Sequence, residues 1–182
     1  PAVPLVPEVP ELAPLIHQAA LDPHLSIDDL NKICDASRHY NFSGFCTSLT
    51  RLSAARKRLG SANQTKLIAV IAFPFGFIPS SHKQAEAEWA VDQGAEELDV
   101  VPDFLALNQG KAEVFAAELA GICETGIPVR VILDFINLPK GNHNIEVYGE
   151  ENLKYPILLR LLSKEFETVG EDKQVLSPMV HK

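Results

Sequence analysis

The chain has 182 residues and a formal net charge of −8 at pH 7, with 46% hydrophobic and 22% charged residues. This is enough chain for one domain with a sizeable core, in ordinary globular proportions. The acidic balance argues against nonspecific binding to nucleic acid or acidic membrane surfaces, and no apolar run is long enough for a membrane helix.

Residues 1–11 stand apart: Pro1, Pro4, Pro7 and Pro10 alternate with valines and acids, which describes an extended arm. The missing initial Met is read as trimming, and no signal-peptide pattern opens the chain. Pro14-Leu15-Ile16 is a first, weak apolar run. Ser26 is placed to cap a helix, with Asp29 as a short version of the reciprocating acid, and Ile27, Leu30, Ile33 and Cys34 follow at helical spacing. A second apolar run covers Phe42 to Leu49. Arg51, Arg56, Lys57, Arg58 and Lys66 form a basic cluster, read as a solvated helix face.

The run from Lys66 to Phe73 has the continuous apolar character of a strand buried on both faces. Ser80 or Ser81 is expected to cap the next helix, with Ala85, Trp89 and Ala90 on one side. A fourth strand follows at Leu98 to Val101, then a helix from Lys111 to Cys123 with Val114, Phe115, Leu119 and Ile122 on one stripe. Val129 to Asp134 is a fifth strand, again buried on both faces. Strand and helix alternating at this spacing mean βα units and a parallel sheet.

From Pro139 the composition changes. Residues 140–144 read as a loop and Asn144 to Gly149 as a short strand. Pro156 suits a first helical turn, and Ile157, Leu158, Leu161, Leu162 and Phe166 then form the face of an amphipathic helix, expected to cover an open sheet edge or to dock on a partner. Residues 168–182 are polar.

Asp99 demands an explanation. A carboxylate inside an apolar strand is costly unless it reaches solvent, pairs with a base or is used in chemistry. Three irregularly spaced cysteines suit a reducing, cytoplasmic compartment, with Cys34 and Cys123 on apolar helical faces. The six histidines show no HxxxH or HExxH spacing, so no metal is expected.

Several segments, in order, resemble the deoxyribose-phosphate aldolase family: Leu15 to Pro23, Phe45-Cys46-Thr47, Val70 to Gly76 with Lys83 and Glu86, Gly94 to Val101, and Val129 to Asp134. The resemblance covers about residues 12–138 and implies a (β/α)8 barrel. It also implies reversible cleavage of 2-deoxyribose 5-phosphate to acetaldehyde and glyceraldehyde 3-phosphate, with no cofactor. In that family a Schiff-base lysine on the sixth strand is activated by a lysine on the seventh, and an aspartate on the fourth relays protons. Asp99 stands at that aspartate's place, and Cys46, Arg130 and Asp134 fall around the same barrel mouth by analogy.

The departures are equally specific. The family's Lys-Thr-Ser-Thr-Gly signature, its seventh-strand lysine and its Gly-rich last strand have no counterpart in this sequence, and nothing after Leu138 resembles the family. Its first-strand Asp, His and Thr become His17, Gln18 and Ala19; its fifth-strand Lys, Glu and Thr become Arg130, Asp134 and Phe135. Arginine stays protonated and forms no Schiff base. Lys66 only precedes the third strand, Lys83 lies near a helix start, and no lysine further along lies in an apolar strand-like run, so none is expected to be buried and activated.

The sequence therefore points to a truncated TIM (β/α)8-type barrel over 12–138, with about five parallel strands, an arm at 1–11 and a divergent helical cap within 139–182. Asp99 is the candidate catalytic residue; Arg130, Cys46 and Asp134 are the candidate ligand-binding residues, with Arg130 either an anion clamp or the ion-pair partner of Asp99. Two functions follow: a binding, assembly or regulatory component without aldol chemistry, or an active class I aldolase completed by another chain. The expected partners are a small phosphorylated sugar and either a second copy or another protein docked through the C-terminal tail.

Overall fold

The computed structural model describes residues 12–61, 64–134 and 157–162; for Asp134 and residues 157–162 the description is of the backbone. The elements run β1 (His17–Ala20), α1 (Ile27–His39), β2 (Gly44–Thr47), α2 (Leu52–Leu59), β3 (Lys66–Ile71), α3 (Ser80–Asp92), β4 (Glu97–Val100), α4 (Phe104–Asn108), α5 (Ala112–Cys123), β5 (Val129–Asp134) and β6 (Ile157–Leu162). All strands pair in parallel and in chain order. Parallel neighbours in sequential order, joined by same-handed crossovers, leave all helices on one side of the sheet, as in the wall of a barrel.

Side-chain alternation along the strands separates the two faces. Phe45, Leu67, Ala69, Leu98, Val100, Val129 and Val131 join Leu30, Leu52, Leu59, Leu119 and Ile122 from the helices in the main core. Each fully buried Leu or Ile of this layer contributes about 1.5–3 kcal/mol. Cys46, Ile68 and Val70 form a separate, smaller cluster. That second cluster marks the inner face, the lumen of the barrel wall.

Local signals behave largely as expected. Ser26 Oγ accepts from Asp29 N–H and donates to the Asp29 carboxylate at 2.6 Å, and that hydrogen bond is the main reason the Asp29 carboxyl lies below its ordinary value. Cys34 is fully buried, which pushes its thiol up to about 11. The basic cluster is not a free face. Arg51 donates to the carbonyls of Asp22, Pro23 and Leu25, Arg56 to Gly94 O and Glu96, and Arg58 to Asp35. These residues tie α2 to its neighbours.

Three expectations are corrected. The tail segment read as an amphipathic helical cap contains strand β6, in register with β5 from Val129↔Ile157 to Asp134↔Leu162, so a sixth strand joins the five expected over 12–138. Ile-Leu-Leu-Arg-Leu-Leu is equally an apolar run for a buried parallel strand, and the unpaired N–H and C=O groups along β5 favour pairing over a lone helix. The cap of α3 is Pro79 rather than Ser80 or Ser81, because Ser80 Oγ donates to Glu118 at 2.8 Å. On α3 the buried stripe is Lys83, Ala87 and Ala90, while Ala85 and Trp89 face outward. The small alanines let α3 approach β3 and α5, and a lysine occupies the core position that hydropathy assigns elsewhere. The expected tail loop, the Asn144–Gly149 strand and the polar end lie outside the described residues.

Candidate functional site in the barrel lumen

Each lumen residue is placed by its strand. Register sets Val70 of β3 beside Asp99 of β4 and Asp99 beside Arg130 of β5, so these side chains share the inner face. Asp99 is fully buried and Arg130 only 4% exposed. Arg130 Nε donates to Asp99 Oδ1 at 2.7 Å, so Asp99 is paired with a base. Cys46 Sγ donates to the other oxygen, Asp99 Oδ2, at 3.6 Å.

The guanidinium reaches further. Its Nη2 lies 3.2 Å from Glu97 Oε2, close enough to attract but not aligned as a hydrogen bond. Lys66 Nζ holds the other oxygen of Glu97 at 2.6 Å. On the opposite side, Arg130 Nη1 meets the His17 imidazole at Nδ1 and lies 3.3 Å from its Nε2. The result is a line of alternating charge, Lys66–Glu97–Arg130–Asp99, with an imidazole and a thiol at its flanks.

These contacts also measure the curvature of the sheet. In a flat sheet β1 and β5 would lie ~19 Å apart, at about 4.8 Å per strand. His17 and Arg130 nevertheless touch. The sheet is therefore rolled, and the lumen is a real interior. Gly44 makes room for this closure: a Cβ there would collide with Ile68 Cδ1 and press on the His17 ring at 3.0 Å.

Of the sequence candidates, the structure brings together Asp99, Arg130 and Cys46. Asp134 ends β5, four residues beyond Arg130 on the same strand; its side chain lies outside the described residues. His17 and Glu97 complete the cluster and were missed as site residues. The signal for His17 was its place in the altered first strand, and for Glu97 the two-residue spacing to Asp99, which puts both on one face of β4.

The expectation that no lysine is buried is also corrected. Lys83 has no exposed surface; its Nζ donates to Glu118 Oε1 at 2.8 Å and to the Val101 carbonyl at 3.1 Å. It sits in the helical layer between α3 and α5 rather than on a strand. Glu118 also accepts from Ser80 Oγ and from the Asp103 N–H, so the pair is closed on itself.

Chemically, the described lumen offers an acid, a thiol, an imidazole and a permanent cation. Among the described residues no group of three His, Cys, Asp or Glu side chains is arranged to hold a metal ion, and no helix is long and apolar enough to cross a membrane.

No family model matches the chain. Individual proteins do. The deoxyribose-phosphate aldolase of Thermosynechococcus vestitus is 37% identical over 125 residues, covering 68% of this chain and 57% of the relative. That of Thermococcus kodakarensis is 33% identical over 129 residues, with 68% and 58% covered. Among solved structures, the aldolase QR15 superposes with a TM-score of 0.65 at 29% identity over 69% of this chain and 57% of that one. The deoxyribose phosphate aldolase of Aeropyrum pernix gives 0.57 at 28% identity over 68% and 53%. The chain thus spans little more than half the length of the curated relatives it matches. Over about two-thirds of its own length, through a shared βα barrel wall and a common sequence, the chain belongs to the deoxyribose-phosphate aldolase family.

Proposed function

We propose that this chain keeps the family's barrel wall as a binding and assembly component and has lost aldol catalysis. The observation that supports this reading is the buried Arg130–Asp99 pair at 2.7 Å. By family resemblance Asp99 is the proton-relay acid, and relaying needs a carboxylate free to take and release protons beside an amine. Here one of its oxygens is bound by a guanidinium, which neither ionises at working pH nor attacks a carbonyl. Among the described lysines, Lys83 and Lys66 are held by Glu118 and Glu97. The relatives' name implies the ligand class, a small phosphorylated sugar.

A second reading is an active class I aldolase whose amine comes from outside the described residues. The contact between Cys46 and Asp99 favours it, since both sit where the resemblance puts site residues.

Borohydride reduction in the presence of acetaldehyde, followed by intact mass and peptide mapping, separates the two. The proposal expects no adduct, alongside saturable binding of 2-deoxyribose 5-phosphate by calorimetry. An ethyl adduct on a single lysine would establish the second reading. No adduct and no binding would reject a ligand-binding role for the lumen.

A further inference from the structure

Outside the barrel wall, an open groove of about 570 Å³ runs along α3, lined by Leu49, Ile78, Pro79, His82, Ala85 and Trp89. Glu86 at its side is already engaged, accepting from the Ala72 N–H at 2.8 Å. Lys83, Ala87 and Ala90 are the residues of α3 turned to the core, so the groove lies on the outer side of the helix. Trp89 there is 44% exposed. The apolar surface continues from Ile78 to Phe77 and Phe75, 73% and 65% exposed, whose rings stack with centroids 5.9 Å apart.

We propose that this groove is the contact between two copies of the chain, with α3 packed antiparallel on α3 of the second copy about a two-fold axis at Ala85. Spacing supports this arrangement. His82 and Trp89 are both exposed and seven residues apart, with Ala85 near their midpoint. Seven helical residues rise ~10.5 Å. A two-fold axis beside Ala85 therefore sets His82 of each copy opposite Trp89 of the other. It also carries each indole towards the other copy's Leu49, Ile78 and Pro79, which stand at the start of α3, where β2 and β3 end. The rings meet twice, as a self-complementary interface requires. Alanine at the axis lets the two helices approach to the short end of the usual ~8–10 Å.

Charge selects the antiparallel arrangement. The first turn of α3 holds no acid, and His82 lies in it, whereas Glu88 and Asp92 occupy exposed positions in the second half. Antiparallel copies place those carboxylates beside the positive end of each other's helix dipole; parallel copies would set acid against acid. Area is adequate as well. Trp89, Phe75 and Phe77 leave on the order of 350 Å² of apolar surface in water. That is close to half of the ~800 Å² that each side of a standard interface buries, of which little more than half is apolar. The contact lies on the outer face and stands whether or not the lumen binds a ligand.

Trp89 is the chain's single tryptophan, so its fluorescence reports this contact alone. The full chain, Ala85→Arg and His82→Ala are compared by sedimentation velocity and acrylamide quenching across a dilution series, with far-UV circular dichroism to check folding. Ala85 and His82 are both exposed, so neither substitution disturbs the core. The expected result is a dimer in which Trp89 becomes protected as concentration rises. Ala85→Arg should abolish dimer and protection together, and His82→Ala should weaken both roughly tenfold. A dimer that withstands Ala85→Arg, or one that leaves Trp89 as accessible as in the monomer, would overturn the proposal. So would a monomer at every concentration: with Trp89 accessible it would leave the groove to a different protein, and with Trp89 protected to a segment of the same chain.

Discussion

Among the described residues, buried charges pair in two places, and the two are built differently. In the helical layer, Lys83 and Glu118 face each other at 2.8 Å with both side chains essentially inaccessible, and Ser80, the Asp103 N–H and the Val101 carbonyl take up further hydrogen-bonding positions. In the lumen, one guanidinium serves two carboxylates and an imidazole, and its Nη2 is left without a well-aligned acceptor. A closed pair fixes geometry, here joining α3, α5 and the loop after β4. A shared cation leaves one of its own donors, Nη2, without an aligned acceptor, the condition under which a site can still respond to a ligand. Buried pairs are weak evidence for net stability, but breaking one by removing a single partner is costly.

The sharpest test of that contrast is in the lumen. Arg130→Met strands Asp99 and Glu97 without their shared cation and is expected to cost about 5 kcal/mol, whereas Arg130→Lys, which keeps a charge but loses the fork, should cost about 1–2 kcal/mol. Urea midpoints of the three proteins measure both. If Met were tolerated as well as Lys, the lumen carboxylates would not depend on Arg130. Next, Glu118→Ala leaves Lys83 buried and unpaired, with Ser80 and the Asp103 N–H unsatisfied, for an expected loss of about 3–4 kcal/mol. The phosphorylated-sugar binding proposed for the lumen should survive it at a temperature where the variant is folded; its loss there would show that the two pairs are coupled.

Gly76 sharpens the picture at the junction between them. It has φ +71°, and a Cβ there would collide with the carbonyl of Pro102, next to the Val101 that Lys83 holds. Gly76→Ala is therefore expected to cost about 2 kcal/mol by thermal unfolding.

The smallest effect belongs to an outer pair. Burial raises the Glu96 carboxyl, but the Arg56 guanidinium, the Leu67 N–H and Lys66 outweigh it and hold the group below its ordinary value of 4.5. The unfolded chain then binds more protons than the folded one just below that value. Glu96 stabilises the fold at pH above about 4.5, and this is lost as pH falls through its folded value. Urea midpoints between pH 6 and 3 should fall more steeply for the parent chain than for Glu96→Gln. Equal slopes would show that Glu96 does not report the Arg56 contact.

The sequence determined the elements with strong local signatures. The Ser26 cap, the buried runs of β3 and β5, the Leu119 and Ile122 stripe of α5 and the family membership were all legible, because periodicity, capping chemistry and contiguous identity act over a few residues. Asp99, Arg130 and Cys46 were legible as candidates for the same reason: each sits on a strand that a motif marks. Tertiary structure decided the rest. Whether Ile157–Leu162 became helix or strand depended on the free edge of β5, which no local window contains. Lys83 became a core residue only because Glu118, distant in sequence, meets it inside the helical layer. His17 joined the site only because the sheet rolls and brings the first strand to the fifth. A charge has no place in the interior until its partner arrives, and where that partner comes from is a property of the fold.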